Sequence, residues 1–167
     1  MKQILYVADI IENTIVDGEG FRTSLYLSGC DINCEGCHNK DLWDISSGHA
    51  VEIDEVYEKI TGTFTNITFI GGEPMMQAEP LTLLAEKIRT NTDKDIWIYS
   101  GHTYEEILCN EAYFNLLKLC DVLVDGKYDG NLSGNNLRFI GSTNQRIIDI
   151  KRSLEGNSIV FWNDEEE

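Results

Sequence analysis

The chain has 167 residues, and 29 acidic against 13 basic side chains give it a formal charge of −16. That balance leaves little material for a basic patch and excludes a polyanion reader; whether the acidity serves solubility alone or a basic protein partner stays open. A hydrophobic share of 42% fits one soluble domain with a continuous core, and no apolar run reaches the roughly eighteen residues of a membrane span.

Acids interrupt "MKQILYVADIIENTIVDGEG" where a signal peptide would need an unbroken apolar stretch, so a cytoplasmic setting is expected. Thiols stay reduced there, and clustered cysteines point to a metal or to catalysis rather than to disulfides.

In chain order, "QILYVAD" (3–9) and "TSLYLSG" (23–29) read as strands, "IDEVYEKIT" (53–61) as a helix and "NITFIGG" (66–72) as a strand. "AEPLTLLAEKIRT" (78–90) reads as a helix, "DIWIYSG" (95–101) as a strand, residues 103–120 as helical and "DVLVDG" (121–126) as a strand. "NQRIIDI" and "NSIVFW" are expected to add short strands, and the acidic end of the chain, within 157–167, to fray. Short apolar strands alternating with amphipathic helices predict an α/β fold built from parallel βαβ units. A closed eight-unit barrel needs about 250 residues, so a partial (βα) barrel with a mostly parallel open sheet is expected, as a single domain over 1–167.

In such a sheet ligands gather at the carboxyl ends of the strands. Four strand ends carry chemistry: Ser28-Gly29-Cys30, Gly71-Gly72-Glu73-Pro74, Ser100-Gly101-His102 and Asp125-Gly126-Lys127. Their convergence on one rim would make a single site.

The densest signal is "SGCDINCEGCHN", in which three of the five cysteines, Cys30, Cys34 and Cys37, fall within eight residues. A structural zinc site wants four ligands, usually from two separated pairs; His38 directly follows Cys37, and His49 would have to reach across a loop. A redox dithiol would use Cys34 and Cys37 and leave Cys30 unexplained. An iron–sulfur cubane held by three thiolates keeps one iron open for a chelating molecule. Spacing alone leaves all three readings standing.

"CDINCEGC" has the C-x3-C-x2-C spacing of the radical S-adenosylmethionine (SAM) enzymes, and the flanks resemble their glycyl-radical-enzyme activases. "DGEGFRTSLYLSGCDINCEGCHNKDLWD" is similar to the opening of those proteins. "NITFIGGEPMMQ", "DIWIYSGHTYEE", "DVLVDGKYDG" and "LRFIGSTNQRIIDI" resemble the activating proteins of anaerobic ribonucleotide reductases. The chain departs from the pattern in two places. Gly36 stands where many members have an aromatic before the third cysteine, and Glu19 stands where D-G-P-G has its proline.

The resemblance implies a radical SAM type of partial barrel, a [4Fe-4S] cluster on Cys30, Cys34 and Cys37, and S-adenosyl-L-methionine chelating the open iron. Reductive cleavage of SAM to a 5′-deoxyadenosyl radical would install a glycyl radical on the large subunit of an anaerobic ribonucleoside-triphosphate reductase, with a flavodoxin-like electron donor. Activation of pyruvate formate-lyase or another glycyl radical enzyme is one alternative. A non-catalytic, zinc-stabilised interaction module is the other. Gly36 and His38 are implied near the adenine, and Asp125 with Lys127 resembles an acid-x-Lys element that touches SAM.

Gly71 and Gly72 would let the backbone approach the SAM ammonium, Glu73 would add a charge partner, and Pro74 would open the next helix. Ser100 would bond the ribose or the methionine part. Arg22 is expected to pair with a nearby acid, and Cys109 and Cys120 to lie as small hydrophobes on apolar helix faces. His49 and His102 are expected at the surface or in hydrogen bonds, and at least one of Met75 and Met76 in the core.

Overall fold

The computed structural model describes residues 3–163. The first strand, β1 (Ile4–Thr14), runs past the expected residues 3–9 and pairs antiparallel with β2 (Arg22–Leu27). Two register shifts, between Val7 and Asp9 and between Ile11 and Thr14, kink its exposed, charged end. After β2 the cysteine segment crosses to β3 (His49–Glu52), a mostly exposed four-residue strand that pairs with β1 and whose sequence carries no alternating pattern.

The chain then alternates through α1 (Ile53–Thr61), β4 (Asn66–Gly71), α2 (Ala78–Asn91) and β5 (Ile96–Ser100). It continues through α3 (Tyr104–Leu108), α4 (Glu111–Leu117), β6 (Val122–Asp125), β7 (Arg146–Asp149) and α5 (Ile150–Gly156).

The sheet order is β3-β1-β2-β4-β5-β6-β7. The four central strands, β2, β4, β5 and β6, are mutually parallel, and the flanking pairings are antiparallel. The edges β3 and β7 do not meet, so the sheet is open, as expected. Its helix-covered face buries Leu25, Phe69, Ile98 and Leu123 against Leu84, Ile88 and Leu116. The opposite face carries Trp97, Val122 and Val124, covered by Phe139, Ile140 and Trp162. Both faces of these strands are buried, which is why they read as continuous apolar runs.

Local chemistry explains where the structure departs from the sequence expectation. The helix expected over 103–120 is two helices. Thr103 and Glu106 form a capping box for α3, and the Asn110 side chain accepts from the Tyr113 N–H to cap α4 afresh. "NSIVFW" forms no strand beyond a single bridge, Phe161 to Ile148. The preceding residues form α5, capped by Asp149 and ended by Asn157 in the left-handed conformation. Trp162 N–H donates to the Ile147 carbonyl, which keeps residues 160–162 on the sheet. The outer residues 164–167 of the acidic end expected to fray lie outside the described residues. No helix among the described residues is long and apolar enough to cross a membrane.

Candidate active site

The carboxyl ends of the parallel strands bound one cavity of about 180 Å³. Cys30, Cys34, Cys37 and His38 line it from the loop after β2, Gly71, Gly72 and Glu73 from the end of β4, and Ser100 from the end of β5. The expected convergence of the first three strand ends is therefore present. From the fourth, Gly126 reaches the wall but Asp125 and Lys127 do not.

Backbone bonds pin the cysteine loop at its base. Gly29 and Cys30 donate to the carbonyls of Leu42 and Trp43 at 2.7 and 2.9 Å, and the Asn39 side chain donates to the Gly71 carbonyl. Two tight turns, through Asn33 (φ 52°) and Gly36 (φ 75°), let the loop fold back on itself. Cys37 donates its N–H to the Cys34 carbonyl. All five cysteines are free, and the three in the loop are half-buried.

Backbone N–H groups reach two of the three sulfurs. The Asn39 N–H donates to the Cys37 sulfur at 3.3 Å. Burial pushes the Cys30 thiol up, and N–H groups of Asn33 and Ile32 oppose that rise without cancelling it. Among the described residues no three Cys, His, Asp or Glu side chains are gathered at metal-holding distance. The three thiols nevertheless share one wall, with no second cysteine pair beside them. His49, the ligand a zinc site would have to recruit, lies on β3 against a different surface groove with Val7 and Lys59. The donor set thus fits a three-thiolate cluster.

The glycine pair has a structural cause that differs from the expected one. A Cβ on Gly71 (φ 123°) would overlap the backbone of Leu27, and one on Gly72 would overlap the Gly29 carbonyl. The glycines let β4 cross close behind the end of β2, and Glu73 N–H then donates to the Gly29 carbonyl at 2.7 Å. Pro74 opens a short 3-10 turn, Pro74–Gln77, ahead of α2 and is buried rather than on the cavity wall. Met75 is buried and Met76 exposed.

Glu73 is 1% exposed. Its carboxylate accepts from Met75 N–H, the Ser100 hydroxyl and Gly101 N–H at 3.0, 2.8 and 2.7 Å. Burial pushes its pKa up, and the three donors oppose that shift. The side chains of Glu73 and Ser100 thus tie the ends of β4 and β5 together.

Asp125, expected to touch SAM, faces the other way. Its carboxylate accepts from the Arg146 guanidinium, at 2.5 Å on one oxygen and 3.0 Å on the other, and from Tyr104 N–H at 2.7 Å. Lys127 is exposed, and its carbonyl accepts from the Asn144 side chain. Gly36 touches the cavity only through Tyr128, whose ring lies 3.5 Å from where a Cβ would be.

The "DGEGFR" motif is structural. Arg22, fully buried, donates to the Thr68 hydroxyl, the Ile67 and Glu19 carbonyls and Asp95, the expected acid partner. The Asp17 carboxylate accepts from Ser24 and Tyr26. Cys120 is buried as expected and its thiol is pushed up by burial, whereas Cys109, expected in an apolar face, is exposed because the chain breaks at Asn110. His102 packs on Tyr113 and faces Glu106.

Sequence reading missed Tyr99, Tyr128, Asn39 and Gln145, which also line the cavity. Strand alternation would have found Tyr99. The other three sit in irregular loops without periodicity, and the only signal for them is that each falls inside a family-like segment.

A cluster-type cysteine loop set at the strand ends of an open α/β sheet defines a single-cluster iron–sulfur protein. A family model described as a 4Fe-4S single cluster domain matches residues 16–148. The anaerobic ribonucleoside-triphosphate reductase-activating protein of Vibrio cholerae is 35% identical over 143 residues, covering 80% of this chain and 90% of that one. Its namesake in Escherichia coli K12 is 35% identical over 143 residues (80% and 91%), and that of enterobacteria phage T4 is 32% identical over 139 (79% and 86%). The chain belongs to the family of anaerobic ribonucleoside-triphosphate reductase-activating proteins. Among solved structures, QueE from Escherichia coli superposes with a TM-score of 0.49 at 17% identity, over 61% of this chain and 56% of that one.

Proposed function

We propose that this protein is an iron–sulfur oxidoreductase that installs a glycyl radical on an anaerobic ribonucleoside-triphosphate reductase, using a [4Fe-4S] cluster and SAM. The observation that carries the reading is a cavity walled by three free thiols and no fourth cysteine. Cys30, Cys34 and Cys37 would hold the cluster. When bound, cluster and SAM together supply one-electron cleavage of a carbon–sulfur bond and a carbon radical able to abstract hydrogen.

The chain's own residues bind and orient. Asn39 N–H donates to the Cys37 sulfur, and N–H groups of Ile32 and Asn33 offset part of the rise that burial imposes on the Cys30 thiol. The Gly71-Gly72-Glu73 turn and Ser100 set the wall facing the sulfurs, where the methionine and ribose parts of SAM would lie. The partner is the large subunit of the reductase, presenting its glycyl loop at the cavity mouth. A flavodoxin-like donor in a cytoplasmic setting would supply the electron.

Anaerobic incubation with SAM and a reductant, with and without the cognate reductase, tests the reading. A glycyl-radical doublet in the electron paramagnetic resonance spectrum is expected only with both proteins present, and Cys34→Ala should abolish it. No doublet from cluster-loaded wild type, or a cluster lost with Cys109→Ala, would overturn the assignment.

A further inference from the structure

Tyr128 leaves the end of β6 and inserts its ring between two loops. One side meets the cysteine loop, with the His38 ring 5.2 Å away and Gly36 beneath it. The other meets Gly141, where a Cβ would come within 3.0 Å of the ring, and Gly130. At Gly141 a side chain would crowd the ring, whereas at Gly36 and Gly130 a Cβ would sit in ordinary contact with it, at 3.5 and 3.8 Å, so the ring fills the space between the loops.

The segment carrying Tyr128 has little regular structure, yet the residues of "GSTNQR" knit it in place. Gln145 accepts from Gly141 and Ser142 N–H and donates to the Gly126 carbonyl. Asn144 donates to the Lys127 carbonyl, and the Ser142 hydroxyl accepts from Asp129 N–H. Arg146 grips Asp125 just upstream. These bonds converge on the backbone either side of Tyr128.

We infer that Tyr128 is a positioning residue that braces the Cys34–His38 half of the ligand loop, with Gln145 and its neighbours as the anchor of the brace. The ring, not its hydroxyl, does this by filling the space between Gly36, His38 and Gly141. The inference rests on the proposed ligand role of Cys34 and Cys37.

The test begins with the iron-free, full-length protein under anaerobic conditions, with iodoacetamide as the probe. Alkylation rates at Cys34 and Cys37 are read by peptide mass spectrometry relative to exposed Cys109. Because the rate follows the population of the open loop, Tyr128→Ala should raise the ratio about tenfold. Gln145→Ala should raise it in the same direction, and Tyr128→Phe should restore the wild-type value. In cluster-loaded protein, Tyr128→Ala should release iron to a ferrous chelator faster by a similar factor.

Leu84→Ala, in the fully buried helix-side core, should lower the melting temperature without moving the ratio. An unchanged ratio in Tyr128→Ala, a Tyr128→Phe protein as reactive as Tyr128→Ala, or an equal rise in Leu84→Ala would each overturn the brace. Wild-type protein that binds no cluster would instead sink the functional reading, leaving the alkylation result intact.

Discussion

Replacing Arg146 by Met tests whether Asp125 is an anchor of the strand end or a ligand contact. The Asp125 carboxylate is 1% exposed and receives two guanidinium bonds and one N–H. Met preserves most of the aliphatic stem of Arg146 but strands the carboxylate with only Tyr104 N–H. Removing one partner of a buried ion pair costs about 3–5 kcal/mol. The Arg146 side chain is 30% exposed, so water can reach the vacated space, and the estimate falls to the lower end, about 3 kcal/mol.

The second partner, Glu105, is 59% exposed, and its lost pairing adds under ~1 kcal/mol. At roughly 2–4 °C per kcal/mol for a chain of this size, the melting temperature should fall by about 6–16 °C. The double variant Asp125→Leu with Arg146→Met removes the stranded charge and should recover most of the loss. Urea denaturation of the iron-free proteins measures all three. A single variant within ~1 kcal/mol of wild type, or a double variant no better than the single, would refute the structural role argued for Asp125.

Other perturbations probe the wall. Gly72→Ala should cost at least about 1–3 kcal/mol, because its Cβ meets the Gly29 carbonyl rather than a flexible side chain, and circular dichroism melting of iron-free protein reads it. Glu73, its pKa raised by burial above the ordinary 4.5, gives a pH signature. As pH rises past that value the unfolded chain loses its proton first, so wild-type stability should fall until Glu73 ionises in the folded state. Glu73→Gln lacks that slope, and parallel stability curves for the two proteins would contradict the shift. Cys109→Ser and Cys120→Ser should both keep full iron content; Cys120→Ser should cost stability, since its thiol is buried and donates only to the Leu116 carbonyl.

What the sequence made legible was local. "NITFI" and "DIWIYS" announce buried parallel strands because both of their faces are covered, and the three cysteines fall in one short run. The end of β1, the four residues of β3 and the break at Asn110 were not legible. Exposed strand edges need no apolar pattern, and the cap depends on one side chain turning back on its own backbone. The glycine pair and the motifs of the family-like segments divide in a way the sequence alone could not express. Three thiols mark the chemistry at one place in the chain, while the parts that fix their geometry come from far away in it. Gly72 clears the Gly29 carbonyl, and Gln145 ties down the loop from which Tyr128 reaches Gly36. "DGEGFR" sits at the opposite end of β2, where Arg22 fixes the start of the strand whose other end delivers Cys30. A motif distant from the cavity can therefore be as necessary to the site as a ligand, because the register of β2 against β4 sets where the cysteine loop begins.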